Sequence, residues 1–214
     1  MKKFFIRVAT GAVFVAVLLS AILYNNISFG VLFAIVTCLA VNEFCNLVHE
    51  YKKTTFSTPI AVIGGLAMIL PDMLFFGNYS EAIMDSYAVK PTITYLLATV
   101  TYGAIIEEVL LRLFWMSLIA FVLHKLFGKK HDKPTVAILV VANVIAALGF
   151  AAAHLPATAQ LLGLTPMIIV RCFLLNGGLG LLFGWLYRKY GLRYSMLAHG
   201  GCHIVSKFIW ILFI

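Results

Sequence analysis

The chain has 214 residues, of which 63% are hydrophobic and 11% charged, with a formal net charge of +8 and a mean hydropathy of +1.02. Soluble domains carry about 25% charged residues, so this composition excludes a soluble globular protein and defines an integral membrane protein. The positive charge does not point to nucleic acid. The basic residues lie in short clusters between apolar runs, as membrane topology requires, and a basic inner face also meets an anionic lipid bilayer favourably.

In chain order, the first apolar run covers residues 4–24 and is interrupted only by Arg7. Met1-Lys2-Lys3 before it resembles the start of a signal peptide. The run is long for that role, and Asn25-Asn26 is a poor cleavage site, so a retained helix is expected. A second run, 27–48, has Asn42 and Glu43 near its end and precedes a polar basic loop with Lys52 and Lys53. The third, 59–76, contains Gly64-Gly65, a pair that permits close helix contact. A mildly acidic loop with Glu81 and Asp85 follows. The fourth run, 91–126, exceeds the roughly 20 residues of a simple crossing, so it must tilt, protrude or break, with Gly103 the natural place. After the basic stretch 128–133 come a fifth run, 134–154, a proline-bounded loop or re-entrant stretch, 156–166, a sixth run, 167–187, the basic cluster 188–193, and a seventh run, 194–214.

The expected fold class is all-α: a polytopic membrane protein of about seven to eight transmembrane helices, with its site inside the bundle. The basic clusters alternate along the chain. The positive-inside rule then places the N-terminus in the cytoplasm and, for seven crossings, the C-terminus outside. Cys38, Cys45, Cys172 and Cys202 all fall in apolar segments and are expected to be buried thiols, with no disulfide framework.

Chemistry is concentrated in three places. In Ile105-Ile106-Glu107-Glu108-Val109-Leu110-Leu111-Arg112 three ionisable residues interrupt an apolar run. Each costs roughly 2.5–3.5 kcal/mol at membrane depth on insertion scales, so they are expected to be used. Glu108 and Arg112 share a helix face and can pair. Glu107 points about 100° away and is free for other work. Phe150 and His154 lie four apart across small alanines at the end of the fifth run. His199 and His203 lie four apart early in the seventh, a spacing that can chelate a divalent metal or aim two donors at one oxygen. Together these residues fit hydrolysis. A carboxylate takes a proton from water, one histidine orients that water, and the others stabilise an oxyanion or hold a metal.

The pattern E-E-x-x-x-R (Glu107 to Arg112), F-x-x-x-H (Phe150 to His154) and H-x-x-x-H (His199 to His203) resembles the CAAX-prenyl-protease and bacteriocin-processing (CPBP/Abi) family of intramembrane proteases, from about Thr92 to the C-terminus. Leu174-Leu175-Asn176-Gly177 and Phe183-Gly184-Trp185-Leu186-Tyr187 resemble bacterial members. The resemblance implies an intramembrane endopeptidase in a bacterial inner membrane, acting on a peptide or membrane-protein substrate. It implies Glu107 and His154 as activators of the attacking water, His199 and His203 as the oxyanion site, and Glu108, Arg112 and Phe150 as supporting residues. It further implies dependence on Zn2+ or another divalent metal, with Glu107, His154, His199 and His203 as candidate ligands. The chain departs from the family at His203, where Asn or Asp is usual.

A second resemblance covers only about the first 70 residues. Arg7-Val8-Ala9-Thr10-Gly11-Ala12, Asn42-Glu43-Phe44 and Leu47-Val48 are similar to the membrane N-terminus of phosphatidate cytidylyltransferases. The lysine- and aspartate-rich stretch that carries that chemistry is absent, in a chain with 8 acidic residues in all. The expected organisation is therefore a scaffold of N-terminal helices over 1–90, of fused origin, and a protease core over 91–214. Two other functions use the same residues: a catalytically silent immunity or interaction protein, and an ion- or proton-coupled transporter, for which Asn143 and Asn176 are the additional polar groups. The protease reading requires His154 and His199 to meet. In a simple ladder of crossings they lie near opposite ends of their helices, about 30 Å apart, unless the fifth helix starts below the membrane or a helix is tilted or re-entrant.

Overall fold

A computed structural model describes residues 2–24, 28, 32, 58–128 and 130–214. Among them the chain is helical and has no strand. The expected second run, with Cys38, Cys45 and Asn42-Glu43-Phe44, lies outside the described residues apart from Ser28 and Leu32.

Helix α1 is Lys2–Tyr24 and α2 is Thr58–Leu74. A 3-10 turn, Phe76–Tyr79, leads to the short α3, Glu81–Ala88. The long rod α4 runs continuously from Ile93 to Phe127. Its ends, Ile93–Thr101 and Ser117–Phe127, are α-helical, and wider π-helical turns fill Tyr102–Glu107 and Val109–Met116 between them. Helix α5 is Val136–Ala153 and α6 is Leu155–Leu162. Helix α7 runs from Pro166 to Tyr190 with a π-turn at Phe173–Gly177, and α8 is Leu192–Phe213.

Three starts share one device. The threonine hydroxyls of Thr92, Thr135 and Thr165 accept the amides of Tyr95, Ile138 and Ile168, satisfying a backbone donor that the first turn leaves free. Prolines 91, 134 and 166 sit beside these caps and keep the preceding chain from being helical.

Four helices among the described residues are long and apolar enough to cross a membrane: Ile60–Tyr79, Val136–Leu162, Pro166–Tyr190 and Leu192–Phe213. On α5 the apolar residues Val140, Val141, Val144 and Leu148 are exposed, a stripe suited to lipid chains, while Ala142, Ala146, Ala147 and Ala151 turn inward. Helix α8 is the centre of the bundle, packed on α2, α4 and α7. The expected close contact at Gly64-Gly65 is made with this helix: Gly64 lies on the Cys202 sulfur, and a Cβ on Gly65 would come 2.5 Å from Val205. Cys172 and Cys202 are free and buried.

The long fourth run bulges at Gly103 and stays continuous. This rod also removes the conflict over the two histidines. His154 lies about 27 Å along α5 from Val136, and His199 only about 10 Å along α8 from Leu192, at 1.5 Å per residue. The two helices start at different heights. A 3.0 Å hydrogen bond between Ser117 and Tyr187 sets the end of α7 level with Ser117, and α4 continues another ten residues to Phe127. The α4–α5 hairpin therefore extends about 15 Å further on the basic side, which lowers the end of α5 to the level of His199.

At the opposite end a buried latch joins four helices. Arg171 on α7 donates to both oxygens of Asp72 on α2 at 2.6 and 2.5 Å. Tyr87 on α3 donates to the same carboxylate at 2.9 Å, and its carbonyl accepts the Trp210 indole of α8 at 2.9 Å. Burial first, and then the Asp72 charge, hold the Tyr87 phenol above its usual range.

Candidate active site

The π-turns of α4 set the adjacent carboxylates to different tasks. Glu108 is fully buried. Its Oε2 accepts Arg112 Nε at 3.2 Å and the Ser195 hydroxyl, and its Oε1 accepts His199 Nδ1 at 2.9 Å. The expected Glu108–Arg112 pair is thus part of a network that reaches across to α8. Arg112 is also fully buried, and its guanidinium carbon lies 5.9 Å from the Phe150 ring centre.

Glu107 faces a cavity of about 190 Å³ lined also by Tyr102, Phe150, His154, His199 and His203. Its Oε1 lies 3.9 Å from His154 Nε2 and its Oε2 3.7 Å from His199 Nε2. Both gaps exceed direct hydrogen-bond range and suit a bridging water. Each imidazole is oriented from behind. His154 Nδ1 donates to the Phe150 carbonyl at 2.9 Å, because a carbonyl can only accept, so its Nε2 lone pair faces Glu107. His199 Nδ1 donates to Glu108, which turns Nε2 toward Glu107 and the cavity. The His199 ring is stacked between Phe183, at 4.4 Å and 21°, and His203, at 5.0 Å and 20°. Phe150 stands edge-on to His154 at 4.5 Å.

The fold therefore brings Glu107, His154, His199 and His203 to one cavity, with Phe150, Glu108 and Arg112 around it. His203 joins through its stack on His199, and its Nδ1 is buried with no hydrogen-bond partner among the described residues. Gly103 makes the room: a Cβ there would lie 2.7 Å from His203 Nε2 and 3.1 Å from His199 Nε2. Asn143 and Asn176 donate to the carbonyls of Leu181 and Cys172 on α7.

Sequence reasoning missed Ser195, and it placed Phe183 in a family-like stretch without giving it a role at the site. Ser195 precedes His199 by four residues, so the extended pattern S-x-x-x-H-x-x-x-H held the signal. It also missed Asp72 and Arg171, although each is a charge in an apolar run. Among the described residues no three His, Cys, Asp or Glu side chains are arranged to hold a metal ion. His199 Nδ1 is engaged by Glu108, so only its Nε2 is open to the cavity, and His203 lies flat on the His199 ring.

The family model described as type II CAAX prenyl endopeptidase Rce1-like matches residues 89–205, more than half of the chain. No curated protein and no solved structure matches it. The matched region runs from α4 into α8, to residue 205, and takes in every polar group of the cavity; the chain belongs to the Rce1-like family of type II CAAX prenyl endopeptidases.

Proposed function

We propose that this chain hydrolyses a peptide bond within the membrane, with Glu107 as general base. The observation that carries the reading is Glu107 set between His154 Nε2 at 3.9 Å and His199 Nε2 at 3.7 Å, in one cavity. A water between Glu107 and His154 donates one proton to each and is thereby held in a fixed orientation. Glu107 takes its proton as the oxygen attacks the scissile carbonyl carbon. The carbonyl π electrons move onto oxygen, and that oxyanion is stabilised by His199, when it carries protons on both nitrogens, and by His203. The tetrahedral intermediate collapses, the C–N bond breaks, and the proton on Glu107 passes to the leaving nitrogen. Positioned acid–base catalysis contributes about 10²–10⁴ in rate, and one oxyanion donor about 10²–10³. Glu108, Arg112 and Ser195 position His199, and Phe150 positions His154.

The substrate class is a peptide or membrane-protein segment. We assign residues 91–214 to the protease core and 1–90 to a scaffold, supported by a family match that begins at residue 89. The basic end of the bundle lies toward the cytoplasm of a bacterial inner membrane. A second reading, a catalytically silent interaction protein, draws on His203 at the position where the family usually has Asn or Asp.

The test is a mass-spectrometric digest of a mixed peptide library by the full chain in lipid, for wild type and Glu107→Ala, with and without a chelator. Wild-type cleavage that is lost in the variant and kept with chelator supports the mechanism. Equal cleavage by both proteins overturns it, and cleavage abolished by chelator overturns the metal-free step. An inert wild type with an active His203→Asn variant supports the silent reading.

A further inference from the structure

His199, His203 and Lys207 lie at i, i+4 and i+8 on one face of α8. The first two line the catalytic cavity. Lys207 lines a second cavity of about 750 Å³, and the two cavities share Met68, His154, Asn176 and Leu179 as walls. The larger space is therefore a vestibule to the site, at the end of the bundle held by the Asp72–Arg171 latch.

Lys207 is half-buried. Its ammonium lies 5.2 Å from the Tyr95 ring centre and 5.0 Å from that of Trp210, and Trp210 is itself fixed by its bond to the Tyr87 carbonyl. No carboxylate among the described residues is within ion-pair distance of it. The other vestibule cation, Arg171, is taken up by Asp72. Asp85 lines the same space from α3 without pairing to Lys207. A lysine at this depth is costly, and ring contacts offset only part of that cost. The arrangement holds a cation in place and leaves its anion to be supplied.

We propose that Lys207 is a specificity-determining residue that binds a carboxylate carried by the substrate. The eight-residue step from His199 to Lys207 rises about 12 Å, which three or four residues of extended chain span. The carboxylate therefore sits that far from the cleaved bond, as a chain terminus or as an acidic side chain. This inference rests on the proposed peptide-hydrolase reading for its substrate class.

The experiment measures binding, so that it stands apart from turnover. Full-length Glu107→Gln protein in lipid is equilibrated with a pooled library of short apolar peptides in three forms: free C-terminal acid, C-terminal amide, and C-terminal amide with one internal glutamate. Bound peptides are quantified by mass spectrometry, and the measurement is repeated with Lys207→Met and Lys207→Arg added. One or both carboxylate forms should bind at least about tenfold more tightly than the plain amide, the scale of one charge-assisted hydrogen bond. The preference should vanish in Lys207→Met and survive in Lys207→Arg, and the form preferred identifies the terminus or the side chain as the source. Equal binding of the three forms, no binding of any, or a preference that survives Lys207→Met overturns the proposal. Failure of wild type to cleave the same library counts against the hydrolase reading alone.

Discussion

Gly103→Ala is a one-methyl test of the site. In a helix this change ordinarily stabilises, because alanine is favoured over glycine by about 1 kcal/mol. Here the new Cβ would lie 2.7 Å from His203 Nε2, 2.9 Å from its Cδ2 and 3.1 Å from His199 Nε2. His199 cannot yield: Phe183 and His203 stack on its two faces, and Glu108 holds its Nδ1 at 2.9 Å. His203 must therefore move by several tenths of an ångström or more, and its stack on His199 moves with it. A displacement of about 1 Å at a reacting group costs about 10²-fold in rate, so kcat for any cleaved library peptide should fall about ten- to a hundredfold, with Tm within a few degrees of wild type. The shorter side chain in His203→Asn relieves the contact, so Gly103→Ala should cost much less in that background, a coupling read by a double-mutant cycle. Full activity in Gly103→Ala, or the same loss in both backgrounds, would refute the assignment of His199 and His203 to the reacting centre.

Two further changes separate support from chemistry. Glu108→Gln leaves Arg112 buried without its counter-charge, and breaking such a pair costs about 3–5 kcal/mol; thermal melts should show a large drop in Tm, and peptide cleavage should be lost. Adding Arg112→Met should recover much of the Tm but not the activity, because His199 still lacks its carboxylate. Asp72→Asn unpairs Arg171 in the wall of the vestibule, so Tm should fall while cleavage of library peptides still depends on Glu107. The Tyr87 phenol, raised by burial and by Asp72, favours the neutral form in the folded state. Its contribution to stability is complete below the unfolded pKa of about 10 and is lost as pH rises beyond it. Melts from pH 8 to 11 should show a smaller alkaline loss of stability in Tyr87→Phe than in wild type.

Hydropathy and spacing were enough to read the membrane class, the helical fold and the three polar clusters. Apolar run length reports directly on bilayer thickness, and a charge inside such a run stands out because it is costly. The i, i+4 pairs Glu108–Arg112, Phe150–His154 and His199–His203 were legible because a helix puts such residues on one face. The tertiary structure decided what those faces meet. The different starting heights of α5 and α8 depend on where Ser117 of α4 meets Tyr187 of α7, a contact between residues 70 apart that no local pattern encodes. The link from Glu108 to Ser195 and His199 joins residues 87 and 91 positions apart, and the latch from Asp72 to Arg171 joins residues 99 apart. Residue spacing along one helix names the groups that share a face; only the packing of separate helices, set by small residues such as Gly103 and Gly64 that let backbones approach, determines which faces close on one cavity.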